Sequence, residues 1–278
     1  MILNETYTLS NGVEIPKLGL GTWLIDDGDV GDAVRAAVDL GYRHIDTAQA
    51  YANERGVGEA VRDCEVPRGE LFVTTKIWIT NLAPRKLIPS LQESLRKLDL
   101  ERVDMTLIHW PSPEDKVPME EYLPMLLEAR EQGLTRHIGV SNFTIDHLGK
   151  AIDLVGAGNI ATNQVEIHPF MHNRKVAEFA REQGVQLTAY MPLAVGKVMQ
   201  DPVLRAIGQA HDATPAQVTL AWLLQLGYVV IPSSTRREHQ QDNLRAAQLQ
   251  LSQEDVAAIS ALERNERIAD PDFAPAWD

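Results

Sequence analysis

The sequence predicts a (β/α)8 barrel with an N-terminal β-hairpin and extra C-terminal helices, a single domain over residues 1–278. Three observations carry this expectation. From Leu18 onward, short apolar runs alternate with amphipathic stretches, giving eight strand candidates. Each repeat takes roughly 25 to 40 residues, and eight of them match the usual size of that barrel. The residues closing the apolar runs are polar, as expected where function gathers at the carboxyl ends of barrel strands. A doubly wound sheet fits less well. Its dinucleotide fingerprint needs a third glycine after Gly19-Leu20-Gly21, where this chain has Leu24.

Residues 7–15 carry strand-like side chains on either side of Asn11-Gly12, a two-residue hairpin signal. Strands are expected at 18–21, 44–46, 71–76, 103–109, 138–141, 161–166, 186–190 and 228–232. Helices are expected between them at 30–40, 54–61, 86–98, 119–132, 145–155, 174–183 and 214–226. In the third helix Leu87, Leu91, Leu95 and Leu98 share one face, with Arg85, Glu93 and Lys97 turned away. Extra helices are expected at 203–210 and 252–263, with His239 opening another behind the last strand, before a tail ending Ala276-Trp277-Asp278.

Composition narrows the function. A hydrophobic content of 44% with five Trp supports a substantial core. A net charge of -13 repels phosphate backbones and anionic membranes, so no nucleic-acid or membrane partner is expected. No apolar run is long enough to span a bilayer. One cysteine, Cys64, excludes an internal disulfide, and the first residues lack a signal-peptide pattern, so a cytoplasmic monomer is expected.

The chemistry centres on residues 41–54, where Asp46 and Tyr51 fall on a strand-to-helix connection. Lys76 and His109 each close an apolar strand, a costly placement without partners. Asp46 on the neighbouring strand can pair with Lys76, and the ammonium can lie beside the Tyr51 hydroxyl, where it is expected to lower the phenol pKa and make Tyr51 a proton donor. A neutral His109 could donate a hydrogen bond to the same carbonyl oxygen. Tyr190 offers a flat face, and Ser141, Asn142 and Gln164 offer hydrogen bonds, together a bed for a nicotinamide and its carboxamide. Trp23, Trp78 and Trp110 follow strand ends closely enough to wall the mouth. No metal site is expected: His168 and His172 are separated by Pro169 and form no metalloprotease pattern, and read as satisfied surface histidines.

Five ordered stretches resemble the aldo-keto reductases from end to end: 41–54, Lys76-Ile77-Trp78, 103–111 with Leu107-Ile108-His109-Trp110-Pro111, 133–143 with Ser141-Asn142-Phe143, and 163–169 with Asn163-Gln164-Val165-Glu166. The resemblance implies reduction of a small-molecule carbonyl with NADPH, NADH being possible. It implies that Asp46, Tyr51, Lys76 and His109 form a catalytic tetrad, and that Gly21, Thr22, Ser141, Asn142, Gln164 and Tyr190 bind the cofactor. Its pyrophosphate and adenosine end would meet Leu193 and residues 231–243, including Ser233, Ser234, Thr235, Arg236, His239 and Asn243. The substrate would meet Trp23, Trp78, His109, Trp110 and Trp277. Residues 231–235 and the Trp277-Asp278 ending are most similar to bacterial 2,5-diketo-gluconate reductases of the B type, which also reduce methylglyoxal.

Two features set expectations of their own. Many family members carry Lys and Arg where this chain has Ser233 and His239, so the adenosine 2'-phosphate must be read by Arg236, with Arg237 as its alternate, and the NADPH preference should be weaker. The loop at 111–118 and the tail beyond Glu263 are short, which favours small dicarbonyls over steroid-like ligands. Two other readings share these residues. A Schiff-base aldolase would use Lys76 as nucleophile, which the adjacent Asp46 disfavours; a cofactor-binding barrel without turnover would keep every motif.

Overall fold

The computed structural model describes residues 5–9 and 12–278. Strands β1 (Thr6–Thr8) and β2 (Glu14–Pro16) pair antiparallel, and the Leu9 amide donates to the Val13 carbonyl at 2.8 Å. Gly12 takes φ 78°, a left-handed conformation that costs glycine little. The hairpin forms, but Thr8 pairs with Glu14 and Leu9 bonds to Val13, so the connection takes three residues rather than the expected two; Ser10 and Asn11 lie outside the described residues. Leu9, Val13 and Ile15 pack against Phe72, Met105, Leu107, Ala161 and Val229 and so plug the floor of the sheet.

Eight parallel strands follow in sequence order: β3 (Leu20–Gly21), β4 (His44–Asp46), β5 (Phe72–Ile77), β6 (Val103–Ile108), β7 (Thr135–Ser141), β8 (Ile160–Glu166), β9 (Gln186–Tyr190) and β10 (Val229–Val230). The sheet closes on itself. The Gly19 amide donates to the Val230 carbonyl at 2.9 Å, Val230 to Lys17 at 2.9 Å and Gly21 to Pro232 at 3.1 Å, which removes the exposed edges an open sheet would leave. Gly21 is required at this seam, because a Cβ there would sit 2.6 Å from the Ile231 carbonyl oxygen. The first and last strands are shorter than the expected 18–21 and 228–232. Pro232 has no amide proton to extend the ladder, and Leu18 makes only an isolated bridge to Val230.

The helices are α1 (Asp27–Leu40), α2 (Glu54–Asp63), α3 (Pro84–Leu98), α4 (Met119–Glu131), α5 (Ile145–Val155), α6 (Arg174–Glu182), α7 (Pro202–Ala210), α8 (Pro215–Gln225), α9 (Arg237–Arg245) and α10 (Gln253–Ser260). Helix α3 buries Leu87, Leu91, Leu95 and Leu98, as its period requires. Helix α1 starts earlier than the apolar pattern predicts, at Asp27, with Asp27 and Asp29 in a first turn that favours negative charge. Helix α9 likewise begins at Arg237 rather than His239, and α10 ends at Ser260, short of 263. Beyond it the chain runs without helix or strand to Asp278. No helix among the described residues is long and apolar enough to cross a membrane.

Candidate active site

The site is built from adjacent strand ends. Register pairs Gly21 with Asp46, and Asp46 with Thr74 two residues before Lys76, so Asp46 and Lys76 rise side by side. After Asp46 the chain turns through a single helical turn at Gln49–Tyr51 and returns at Ala52, φ 56°. Two amides fix that turn. Asn53 is buried, donates to the carbonyls of Thr22 (2.9 Å) and Ile25 (2.8 Å), and accepts from the Thr47 hydroxyl (2.8 Å). Gln49 accepts from the Trp78 amide at 2.8 Å and from Asn81 at 3.0 Å. Neither stood out in the sequence; the signal was a buried loop whose backbone groups need partners.

Lys76 is fully buried. Its Nζ donates to Asp46 Oδ1, to the Thr47 carbonyl at 3.0 Å and to the Tyr51 hydroxyl at 3.2 Å, which uses all three ammonium protons. Asp46 Oδ2 accepts from Gln164 Nε2 at 2.8 Å, so both carboxylate oxygens are engaged. Burial alone would lower the Lys76 pKa, but Asp46 and Tyr51 raise it above its ordinary value. A Schiff-base nucleophile needs the opposite shift.

Tyr51 departs from expectation. Burial raises its pKa, Lys76 opposes this without cancelling it, and Asp46 adds to the rise. Desolvation is the larger effect and outweighs the ammonium. The phenol is therefore held protonated, with the Lys76 ammonium beside its hydroxyl. His109 meets Tyr51 edge to face, ring centroids 5.6 Å apart. Burial and then Lys76 hold its pKa well below 6.5, so the imidazole is neutral, and its buried Nδ1 has no hydrogen-bond partner among the described residues.

The other side of the site is a bonded row. Ser141 Oγ donates to the Gln164 carbonyl (2.8 Å), Asn142 Nδ2 to the His109 carbonyl (3.0 Å) and to Ser141 Oγ (3.2 Å), and the Tyr190 hydroxyl to Asn142 Oδ1 (2.7 Å). Asn142 reaches this position at φ 61°. Thr22 is buried, its hydroxyl on the Asp46 carbonyl at 3.1 Å. Hydroxyl and amide groups beside a flat phenol ring are the donor set a nicotinamide carboxamide requires, and Ser141 Oγ keeps an unused lone pair. The residues fit the group.

The far rim is different. Residues Ser233, Thr235, Arg236 and His239 are exposed; Ser233 Oγ donates to the Trp23 carbonyl at 3.2 Å, and Ser234 Oγ accepts from the Arg236 amide at 3.1 Å. Arg237 is turned toward helix α1, with the Ala36 carbonyl at 3.4 Å and Asp39 at 3.7 Å. Arg236 has Glu238 at 3.9 Å. Asn243 is buried. Leu193 is half-buried against the core.

The aromatic wall includes a residue that sequence reasoning missed. Phe273, from the segment after α10, stands edge to face against Trp78 (5.7 Å) and Trp110 (5.5 Å), and Trp277 reaches Trp110 at 5.9 Å. Trp78 also meets His109 at 5.2 Å. Trp23 is exposed at the opposite lip. His168 and His172 are buried, not on the surface as expected: His168 Nε2 bonds to Glu166 at 2.9 Å and His172 Nε2 to the Pro169 carbonyl at 3.0 Å. Among the described residues no group of three or more His, Cys, Asp or Glu is placed to hold a metal ion.

Comparison with known proteins agrees with this geometry. The aldo/keto reductase family model matches residues 17–264. The chain is 56% identical over 265 residues to methylglyoxal reductase DkgB of Escherichia coli O157:H7, covering 95% of this chain and 99% of that one. The crystal structure of a candidate 2,5-diketo-D-gluconic acid reductase B superposes with a TM-score of 0.94 at 41% identity, covering 99% of each chain. The aldose reductase from Schistosoma japonicum superposes with a TM-score of 0.89 at 33% identity, over 95% of this chain and 93% of its own.

Proposed function

The chain belongs to the aldo/keto reductase family of NAD(P)H-dependent oxidoreductases, and on that premise we propose that it reduces small aldehydes and ketones, methylglyoxal and keto-gluconates such as 2,5-diketo-D-gluconate among them, with NADPH as reductant and Tyr51 as general acid. The observation that carries this reading is the Tyr51 hydroxyl 3.2 Å from a buried ammonium that is itself paired with Asp46. When bound, reduced nicotinamide supplies a hydride to the carbonyl carbon. As the oxygen gains charge, the Tyr51 O–H bond breaks and its proton passes to that oxygen, while Lys76 stabilises the phenolate left behind. Neutral His109 offers a ring N–H to the same oxygen and orients it. Ser141, Asn142 and Gln164 would hold the carboxamide, with Tyr190 against the ring and Gly21, Thr22 and Leu193 along the groove.

At the adenosine end, Arg236 is the guanidinium available to a 2'-phosphate, beside the hydroxyls of Ser233, Ser234 and Thr235, with His239 and Asn243 on the helix behind. The assay is oxidation of NADPH and of NADH with a panel of aldehydes and ketones. Steady NADPH turnover, with methylglyoxal or a keto-gluconate reduced at higher kcat/KM than any steroid ketone, supports the reading. Absence of turnover with every carbonyl would leave a barrel that binds cofactor without reducing anything.

A further inference from the structure

Strand β8 ends in a carboxylate for which the reaction has no use. Glu166 is fully buried, and its side chain collects three donors: His168 Nε2 and the Ile268 amide on Oε1, at 2.9 and 2.7 Å, and the Ala269 amide on Oε2, at 2.7 Å. His168 Nδ1 accepts from the Phe170 amide at 3.2 Å, so Nε2 carries the proton and donates to Glu166. Two of the three bonds therefore reach forward 102 and 103 residues, into the segment that lies across the mouth. Four residues beyond Ala269 that segment delivers Phe273 between Trp78 and Trp110. The segment has no helix or strand of its own to hold it in place.

We infer that Glu166 is a positioning residue of the substrate pocket: it tethers residues 264–278 to the rigid end of β8 and thereby sets Phe273 in the aromatic wall. The role rests on the reductase reading above for its effect on substrate, but the tether itself does not. A carboxylate is suited to the task because it only accepts, and every group it meets is a donor. Glutamine would turn an NH2 group toward one of those donors. The start of the tail is also held, by the Arg264 and Glu266 amides on the Phe170 carbonyl at 3.3 and 2.9 Å and by Arg267 on Asn173 at 2.9 Å, whereas Glu166 takes the amides of Ile268 and Ala269, closer in the chain to Phe273.

The test compares wild type, Glu166→Gln, Phe273→Ala and the double variant, with NADPH and two aldehydes, methylglyoxal and nitrobenzaldehyde. Small methylglyoxal fills little of the wall; the aromatic aldehyde needs it. Glu166→Gln is expected to raise KM for nitrobenzaldehyde about tenfold, to change kcat and the methylglyoxal KM by less than about threefold, and to speed trypsin cleavage after Arg264 and Arg267 about tenfold. Phe273→Ala is expected to reproduce the KM effect, and the double variant to be no worse than either single one. Equal losses on both aldehydes, or losses that add in the double variant, would overturn the inference. If Glu166→Gln does not accumulate folded, Ala269→Pro removes one donor from the tail side and must show the same KM split, and an unchanged nitrobenzaldehyde KM there overturns it too. Should wild type reduce neither aldehyde, the reductase reading alone fails; the trypsin comparison still decides the tether, and unchanged cleavage in Glu166→Gln refutes it.

Discussion

The corner made by Asp46, Tyr51, Lys76 and Gln164 and the rim at residues 233–239 border one barrel mouth, yet they are held in opposite ways. In the corner every ammonium proton and both carboxylate oxygens have partners, and Lys76 and Asp46 are 0% and 1% exposed. On the rim Arg236 is 65% exposed with one distant carboxylate for company. A buried charge network is fixed by the protein itself, since each member left unpaired would carry the full cost of desolvation. An exposed guanidinium is arranged by whatever binds it. The corner should therefore fail abruptly when altered and the rim by degrees.

The largest effect is expected for Lys76→Met. It removes the stabiliser of the phenolate, costing ~10² to 10⁴ in kcat, and strands Asp46, costing about 3 to 5 kcal/mol of stability. Adding Asp46→Asn separates the two, because the double variant should regain most of the stability in urea titrations and none of the turnover. A double variant that regains turnover would show that the corner is structural only.

On the rim, Arg236→Ala should reduce the ratio of kcat/KM for NADPH over NADH by about 10- to 100-fold, nearer the lower figure because the arginine is exposed and Glu238 lies close. Arg237→Ala should leave the ratio within about twofold, its guanidinium being turned to helix α1. Equal use of both cofactors by wild type would mean that this rim does not read the phosphate.

Protons sharpen the contrast further. His44 lies under the corner with its pKa lowered to about 4, by burial first and by Lys76 against the opposing pull of Asp46. The folded state thus refuses a proton that the unfolded chain accepts below pH 6.5, and stability is lost as pH falls from about 6.5 toward 4. Between pH 7 and pH 5 the loss from His44 is about 2 kcal/mol, and His109 acts in the same direction. Urea unfolding at the two pH values measures it; a stability unchanged at pH 5 would mean that water reaches this layer.

Legibility in the sequence followed the same division. The alternating elements, the polar strand ends and the Asp46–Lys76 pairing could be read because burial leaves few alternatives for each residue. Element ends moved by up to three residues, the most at α1, β7 and α10. Three things were not legible. The direction of the Tyr51 shift depends on how deeply the phenol is buried, which a residue list does not contain. Arg236 and Arg237 are neighbours in sequence but face different elements once α9 begins at Arg237. Phe273 and Glu166 meet their partners through a tail without periodicity, so no pattern announced that residues 264–278 would return to the mouth.

The central claim is that Tyr51 delivers the proton. Its most direct test is Tyr51→Phe, assayed for NADPH-dependent reduction of methylglyoxal alongside the dissociation constant for NADPH. The expected result is a kcat lower by ~10² to 10⁴ with cofactor affinity within about twofold of wild type. The Lys76–Asp46 pair and the Ser141, Asn142 and Gln164 row remain intact without the hydroxyl. A variant that retains more than half of the wild-type kcat would contradict the claim.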